Sequence, residues 1–206
     1  MNLQKLFEMQ AELDERIIQQ HPELRGQNNL DWKLLALQVE LGECANEWRG
    51  FKRWSNNQES RTSVKVGCPN CAGTGTPIGI PSYAGIDCWQ CGGEGSYSKN
   101  PLLEEYIDCL HFILSIGLEI GYKEFDEEEM NEYFAQVSDD EKNGITRQFI
   151  AINYITSCML ENYIHYEQAL YEILSLGEML GFTWEQVEGA YLTKNKTNHE
   201  RQLNGY

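Results

Sequence analysis

The chain has 206 residues, 41% of them hydrophobic and 11% aromatic, which is enough apolar material for one sizeable core and excludes a mainly disordered protein. Sixteen Lys and Arg against 32 Asp and Glu give a formal net charge of −16. A field of that sign repels phosphate backbones and anionic membranes and argues against a general nucleic-acid binder, although metal ions still allow a phosphorylated small molecule to bind. Met1–Gln10 carries Lys5 and Glu8 and has no signal-peptide core. The most apolar stretch, Leu102–Ile120, is broken by Glu104, Glu105, Asp108, His111 and Glu119, so it is a poor membrane span. Of seven cysteines, four fall in two CxxC pairs and three stand alone. That usage suits a reducing compartment, and the cytoplasm is the expected location.

The periodic segments all read as helix. The first spans about 3–20, with the stripe Leu3, Leu6, Phe7, Gln10, Leu13, Asp14, Ile17 at spacings of three and four. Gln10 and Asp14 are polar residues within that stripe; they either hydrogen-bond a neighbouring helix or face a pocket. The second helix, about 31–48, has Leu34, Leu35, Ala36, Leu37, Val39, Leu41, Cys44 and Ala45. It has almost no polar face and reads as central, with Glu40, Glu43 and Glu47 on one side. Residues 49–61 form a locally basic segment: Arg49, Lys52, Arg53 and Arg61 against Glu59, interleaved with Phe51 and Trp54.

Residues 62–99 lose helical periodicity and concentrate glycine, proline and cysteine, as an inserted module would. Helix resumes at Asn100-Pro101, a cap followed by proline at the first helical position, and runs over 101–120 to Gly121. Residues 125–141 are strongly acidic, with Phe125, Met130, Phe134 and Val137 marking a short amphipathic helix whose charges read as a solvated face. Ser138-x-x-Glu141 is a capping box opening the next segment. Residues 142–164 and 166–180 carry further helical periodicity, and Thr183-x-x-Gln186 opens the last helix. The fold class is therefore all-α: a helical bundle with a small insert between its second and third main helices. The division is a helical domain of residues 1–61 and 100–206, and a module of residues 62–99.

Two motifs carry chemistry. Glu40-x-x-Glu43 lies on the second helix and Glu105-x-x-Asp108 on the third. Residues three apart on a helix share a face, with β-carbons about 5–6 Å apart, so each pair points two carboxylates at one spot. Both helices read as buried, and no Lys or Arg lies within the core of either to pair with the acids; Lys33 and Arg49 are at the edges. Four converging carboxylates repel one another unless a divalent ion lies between them. All-oxygen ligands favour Mg²⁺ or Mn²⁺ over Zn²⁺, and Mg²⁺ so held takes up phosphates. His111, one turn after Asp108, reads first as a satisfied core histidine and second as a ligand or a group supporting one.

The other motif is CxxCxGxG, present twice: Cys68-Pro-Asn-Cys71-Ala-Gly-Thr-Gly and Cys88-Trp-Gln-Cys91-Gly-Gly-Glu-Gly, with 16 residues between the CxxC units. Each knuckle presents two thiolates, and two knuckles complete a tetrahedral Cys₄ site for a structural Zn²⁺ with no open position. The repeats resemble those of the cysteine-rich region of DnaJ-type chaperones. Cys44, Cys109 and Cys158 read as small core residues.

With these motifs in hand, the chain resembles the dimeric all-α dUTPases of bacteria and their phages, relatives of the MazG-type nucleotide pyrophosphohydrolases. The matching segments are LQKLFEMQAELDERI, LALQVELGECANEWRGFKRWS, NPLLEEYIDCLHFILSIGLEIG and YLTKNKTNHERQLNGY. The insert departs from the family pattern but interrupts neither carboxylate pair. The resemblance implies hydrolysis of dUTP, and usually dUDP, to dUMP in a homodimer, in the host cytoplasm if the gene is a phage's. It implies that Glu40, Glu43, Glu105 and Asp108 bind two or more Mg²⁺, with Glu43 as general base and Glu47 as the alternative orienting group. It further implies that Gln10 and Asp14 lie near uracil and sugar, that Lys52 and Trp54 belong to a segment lining the nucleotide site, and that Lys194, Asn198 and Arg201 bind phosphates and base. The last three are spaced i, i+4, i+7, on one helix face. Two other readings stand beside this one: the same chemistry on another pyrimidine dNTP such as dCTP, and a scaffold that recruits a protein partner through the zinc insert.

Overall fold

Apolar residues at spacings of three and four, closed by side-chain caps, place six α-helices among the residues that the computed structural model describes, 2–81, 84–122 and 141–205. They are α1 (Leu3–Gln20), α2 (Leu30–Trp48), α3 (Pro101–Glu119), α4 (Glu141–Cys158), α5 (Tyr166–Met179) and α6 (Trp184–Leu203). Two strands, β1 (Val64–Gly67) and β2 (Ser96–Lys99), pair antiparallel, with Val64 opposite Lys99 and Gly67 opposite Ser96. The fold is all-α, as read from the sequence, and the strands lie within the segment where helical periodicity is lost. The acidic stretch from 125, up to residue 140, and the Ser138 cap lie outside the described residues. No described helix is long and apolar enough to cross a membrane.

The helix ends follow their capping residues. Asn100 accepts from the Leu103 amide at 3.1 Å, with Pro101 at the first helical position of α3. Thr183 and Gln186 form both bonds of the capping box that opens α6. Beyond α3, Gly121 has φ +74°, and the Tyr122 amide reaches back to the Gly117 carbonyl at 2.8 Å. Beyond α5, Gly181 (φ +85°) and Phe182 repeat that termination on Gly177 at 3.1 Å.

One core joins the helices, and α2 packs most extensively against α3. Leu34, Leu37, Leu41 and Cys44 of α2 are buried against it. The other side of α2 is not: Leu35 and Val39 are exposed, so α2 is not surrounded as its apolar composition suggests. Apolar content marks a face to be covered without saying that this chain covers it. The segment read as one helix over 142–164 ends at Cys158, where a turn and a short 3₁₀ stretch (Tyr163–His165) lead into α5. Cys44 and Cys109 are buried as expected, while Cys158 is half-buried.

Candidate active site and metal centre

Apolar packing of Leu34, Leu37, Leu41 and Cys44 in the core they share with α3 places α2 and α3 side by side, and their acid pairs meet. Carboxylate oxygens of Glu40, Glu43 and Glu105 lie within 4.8 Å of one another. That span is bridgeable by ions with Mg–O bonds of about 2.1 Å, and the donor set is all oxygen. Burial, with repulsion from Asp108, Glu43 and Glu105, pushes the Glu40 carboxyl up to about 7. Burial and the neighbouring Asp108 and Glu43 likewise raise Glu105. A site that penalises its own negative charge in this way fits a divalent cation.

Two parts of the sequence reading need correction. Glu43 is exposed and the other three carboxylates are half-buried, so the cluster lies at a cleft mouth and not in the core. Nor is it free of cations. Lys194, on α6, places its Nζ 2.5 Å from Asp108 Oδ2. Burial still raises the Asp108 carboxyl, against the lowering effect of Lys194. Lys194 is remote in sequence, so only the docking of α6 on α3 reveals the pair.

Glu40 and Asp108 also edge a cavity of about 330 Å³, the small end of the range for small-molecule sites. Its walls include Gln10, Asp14, Lys194, Asn198 and Arg201, five of the positions singled out by the sequence. Lys52 and Trp54 do not line it: Lys52 lies over the Phe51 ring at 5.7 Å, and Trp54, 77% exposed, meets Phe51 edge-on. Their aromatic and basic character serves a local stack here.

The two readings of Gln10 and Asp14 hold together. Gln10 is buried at the cavity wall; its Nε2 donates to Asp14 Oδ1 at 2.7 Å, and its Oε1 accepts from the Tyr191 hydroxyl at 2.8 Å. His111 Nδ1 stands 2.8 Å from the same Oε1 and must donate to it. That fixes the neutral tautomer with a bare Nε2, which has no partner among the described residues. Burial and the charge of Lys194 push His111 down to about 3, and its ring stacks on Tyr191 with centroids 4.1 Å apart. His111 is thus a core histidine that also lines the cavity.

Sequence reasoning missed Lys33 and Ser115. Lys33 is buried, 2.8 Å from Glu119 and 3.6 Å from Asp14, and Ser115 donates to Asp14 Oδ2 at 2.6 Å. Both line the cavity and hold Asp14 in place. Glu47 lies beside the cluster. One of its oxygens takes Arg61 Nη1 at 3.0 Å, and the other is buried without a partner among the described residues.

The second cluster lies beyond the β1–β2 pair. The four sulfurs of Cys68, Cys71, Cys88 and Cys91 lie within 4.8 Å of one another, with Cys68–Cys88 at 3.7 Å and Cys71–Cys91 at 3.8 Å. Tetrahedral M–S bonds of about 2.3 Å imply an edge of about 3.8 Å, so the set offers one metal four ligands. The knuckles are reciprocal: Gly75 N–H donates to Cys71 Sγ at 3.3 Å and Gly95 N–H to Cys91 Sγ at 3.2 Å. The Cys68 amide bonds the Gly95 carbonyl, and the Cys88 amide the Gly75 carbonyl. Gly75 has φ +80°, and a Cβ there would lie 2.1 Å from the Gly93 carbonyl oxygen, so the motif needs its glycines. Burial raises the Cys88 thiol, but the Asn70 amide at 3.2 Å and nearby backbone amides bring it down to about 6.

Residues 2–66 and 88–206 match the model of a protein family described as dUTPase. The unmatched stretch, 67–87, lies inside the cysteine-bearing segment and leaves both acid pairs within the match. No individual curated protein matches the chain.

Proposed function

The chain belongs to the dUTPase family and hydrolyses dUTP; from that premise we propose that the reaction is Mg²⁺-dependent, takes dUDP as well, and runs at the cluster of Glu40, Glu43, Glu105 and Asp108. One observation carries this reading: oxygens of three carboxylates converge beside a cavity that also presents Lys194, Asn198 and Arg201. The carboxylates would hold Mg²⁺, which when bound neutralises phosphate charge and polarises the bond to be cleaved.

The protein's own residues supply the rest. Glu43, the most accessible carboxylate, accepts the proton of the attacking water. Lys194 and Arg201 bind phosphate oxygens in an otherwise acidic molecule. Gln10, Asp14 and Asn198 hold the nucleoside. Gln10 is pre-set by Tyr191, and Asp14 by Ser115 and Lys33, so little ordering of these two is left for substrate binding. Water adds to phosphorus, the bond between the α and β phosphates breaks, and dUTP yields dUMP and pyrophosphate.

The cysteine-bearing segment, residues 62–99, is proposed as a structural Zn²⁺ module set into a helical domain of residues 1–61 and 100–206. It has too few apolar residues to fold unaided, and among its described residues only Tyr97 packs beside the cysteines. Trp89 and Ile78 are exposed on it and suit a protein partner. We also propose a homodimer, supported by the uncovered apolar side of α2.

A nucleotide panel assayed with and without Mg²⁺ tests the reaction. Pyrophosphate release from dUTP, dependent on Mg²⁺, is expected. Equal or faster turnover of dCTP would overturn uracil selectivity, and full activity in chelator would overturn the metal.

A further inference from the structure

Asp108 is the one acid of the two pairs that does not join the convergent carboxylates. The other three place oxygens within 4.8 Å of one another, whereas Asp108 Oδ2 is held at 2.5 Å by Lys194. Lys194 is only about a quarter exposed, and it lines the nucleotide cavity together with Asn198 and Arg201. It therefore ties Asp108 to the cavity wall that also carries Asn198 and Arg201.

We propose that Lys194 is a positioning residue that withholds Asp108 from the metal until nucleotide arrives, making metal and nucleotide binding interdependent. This rests on the Mg²⁺ reading above. In the free protein the ammonium ion pairs with Asp108 and repels a second cation from the cluster. A triphosphate carries more charge than one carboxylate and draws the ammonium to itself. Asp108 is then free to complete the oxygen set. Because coupling is reciprocal, the metal must strengthen nucleotide binding by the same factor that nucleotide strengthens metal binding. An enzyme built this way avoids a tightly held, idle metal in the absence of substrate.

Mn²⁺ binding followed by electron paramagnetic resonance reads this without turnover. The wild type is titrated alone and with the non-hydrolysable α,β-imido analogue of dUTP. Lys194→Met, which keeps the aliphatic stem, and Lys194→Arg, which keeps the charge, are titrated alongside. The analogue is expected to tighten Mn²⁺ binding to the wild type by at least about fivefold, the lower end of ordinary coupling. Lys194→Met should bind Mn²⁺ more tightly than the wild type without nucleotide, by at least about fivefold, and should lose most of the effect of the analogue. Lys194→Arg should behave as the wild type. Equal nucleotide-free affinities of the wild type and Lys194→Met would overturn the proposal while leaving the metal site standing. Failure of the wild type to bind Mn²⁺ even with the analogue would overturn both.

Discussion

Tyr106 and Gly177 are fitted to each other: a Cβ at Gly177 would lie 2.4 Å from the Tyr106 hydroxyl, which donates to the Ile173 carbonyl at 3.3 Å. Tyr166 and Gly117 repeat the arrangement from the opposite side, with a Cβ at 2.2 Å and a bond to the Ile113 carbonyl at 3.0 Å. α3 and α5 thus pack as a reciprocal pair, and each ends on the same type of glycine turn. The acid pair is not repeated: the α5-side positions matching Glu105 and Asp108 are His165 and Gln168. Of these two helices, α3 alone carries carboxylates at those positions.

Gly177→Ala should therefore overpack a closed site, because the Tyr106 ring is fully buried and cannot swing away. We expect a loss of about 1–3 kcal/mol. For a chain of this size that corresponds to a fall of roughly 2–4 °C in Tm per kcal/mol. Scanning calorimetry checks it, and an unchanged Tm would show that α3 and α5 separate freely.

Replacing single carboxylates separates their roles. Glu43→Gln removes the proposed base and should lower kcat by about 100-fold or more. Asp108→Asn keeps a partner for Lys194 but loses a ligand charge, and should cost at least about tenfold in kcat/KM. Steady-state assays with dUTP check both. A loss below tenfold in either would remove that residue from the assigned machinery.

The helices and both acid pairs were legible in the sequence because their determinants are local: periodicity, caps and i, i+3 spacing. The Cys₄ cluster was legible for the same reason, since each knuckle is four residues long. What was not legible depends on docking between distant elements. Lys194 pairs with Asp108, and Lys33 with Glu119 and Asp14, across separations of many turns. Hydrophobic content marked α2 as central, but Leu35 and Val39 are left uncovered by this chain. The resemblance assigns Lys52 and Trp54 to a segment lining the nucleotide site, whereas within this chain their side chains pack on Phe51. The match of 106–121 with 166–181 is present in the sequence too, with seven of sixteen positions identical, Tyr106, Ile113 and Gly117 among them.

The raised Glu40 carboxyl gives a pH signature. Its value moves from 4.5 to about 7 on folding, so between those limits the folded chain holds a proton that the unfolded chain has lost. Its contribution to stability is fully present below pH 4.5 and is lost as pH rises to about 7. In the metal-free protein, Tm should fall more steeply with pH over that window in the wild type than in Glu40→Gln. Mg²⁺ should restore the wild type more effectively at pH 8 than at pH 6, because the ion competes with that proton. Parallel melting profiles of the two proteins would exclude Glu40 as the titrating group.

The Cys₄ cluster predicts one Zn²⁺ per chain, measurable by metal analysis of protein purified without added metal. Cys88→Ser removes one of four ligands and disturbs the knuckle that Asn70 supports, so most of the zinc should be lost. The helical circular dichroism should persist, since the body's core shares no buried residue with the cysteine cluster. Retention of full zinc would show that another residue completes the site.

The uncovered side of α2 predicts the oligomeric state. Gln38 reaches the Asn153 carbonyl and Ser157, fixing α2 beside α4, and around that junction Leu35, Val39, Ile150 and Tyr154 are each at least half exposed. Leu35 and Val39 are four apart on one helix, and Ile150 and Tyr154 four apart on the other, so each pair forms a continuous ridge. Two ridges flanking one junction are self-complementary about a twofold axis, because the same face on a second copy supplies matching ridges. Leaving such a patch in water is costly, and a stable dimer needs only about 800 Å² covered per partner. Light scattering should therefore give twice the chain mass for the wild type and the single chain mass for Leu35→Glu combined with Tyr154→Glu. Each substitution places a charge that would be buried against its own symmetry mate, so their effects on association should reinforce one another. A monomeric wild type, or a double variant that remains dimeric, would show that this face is not the contact.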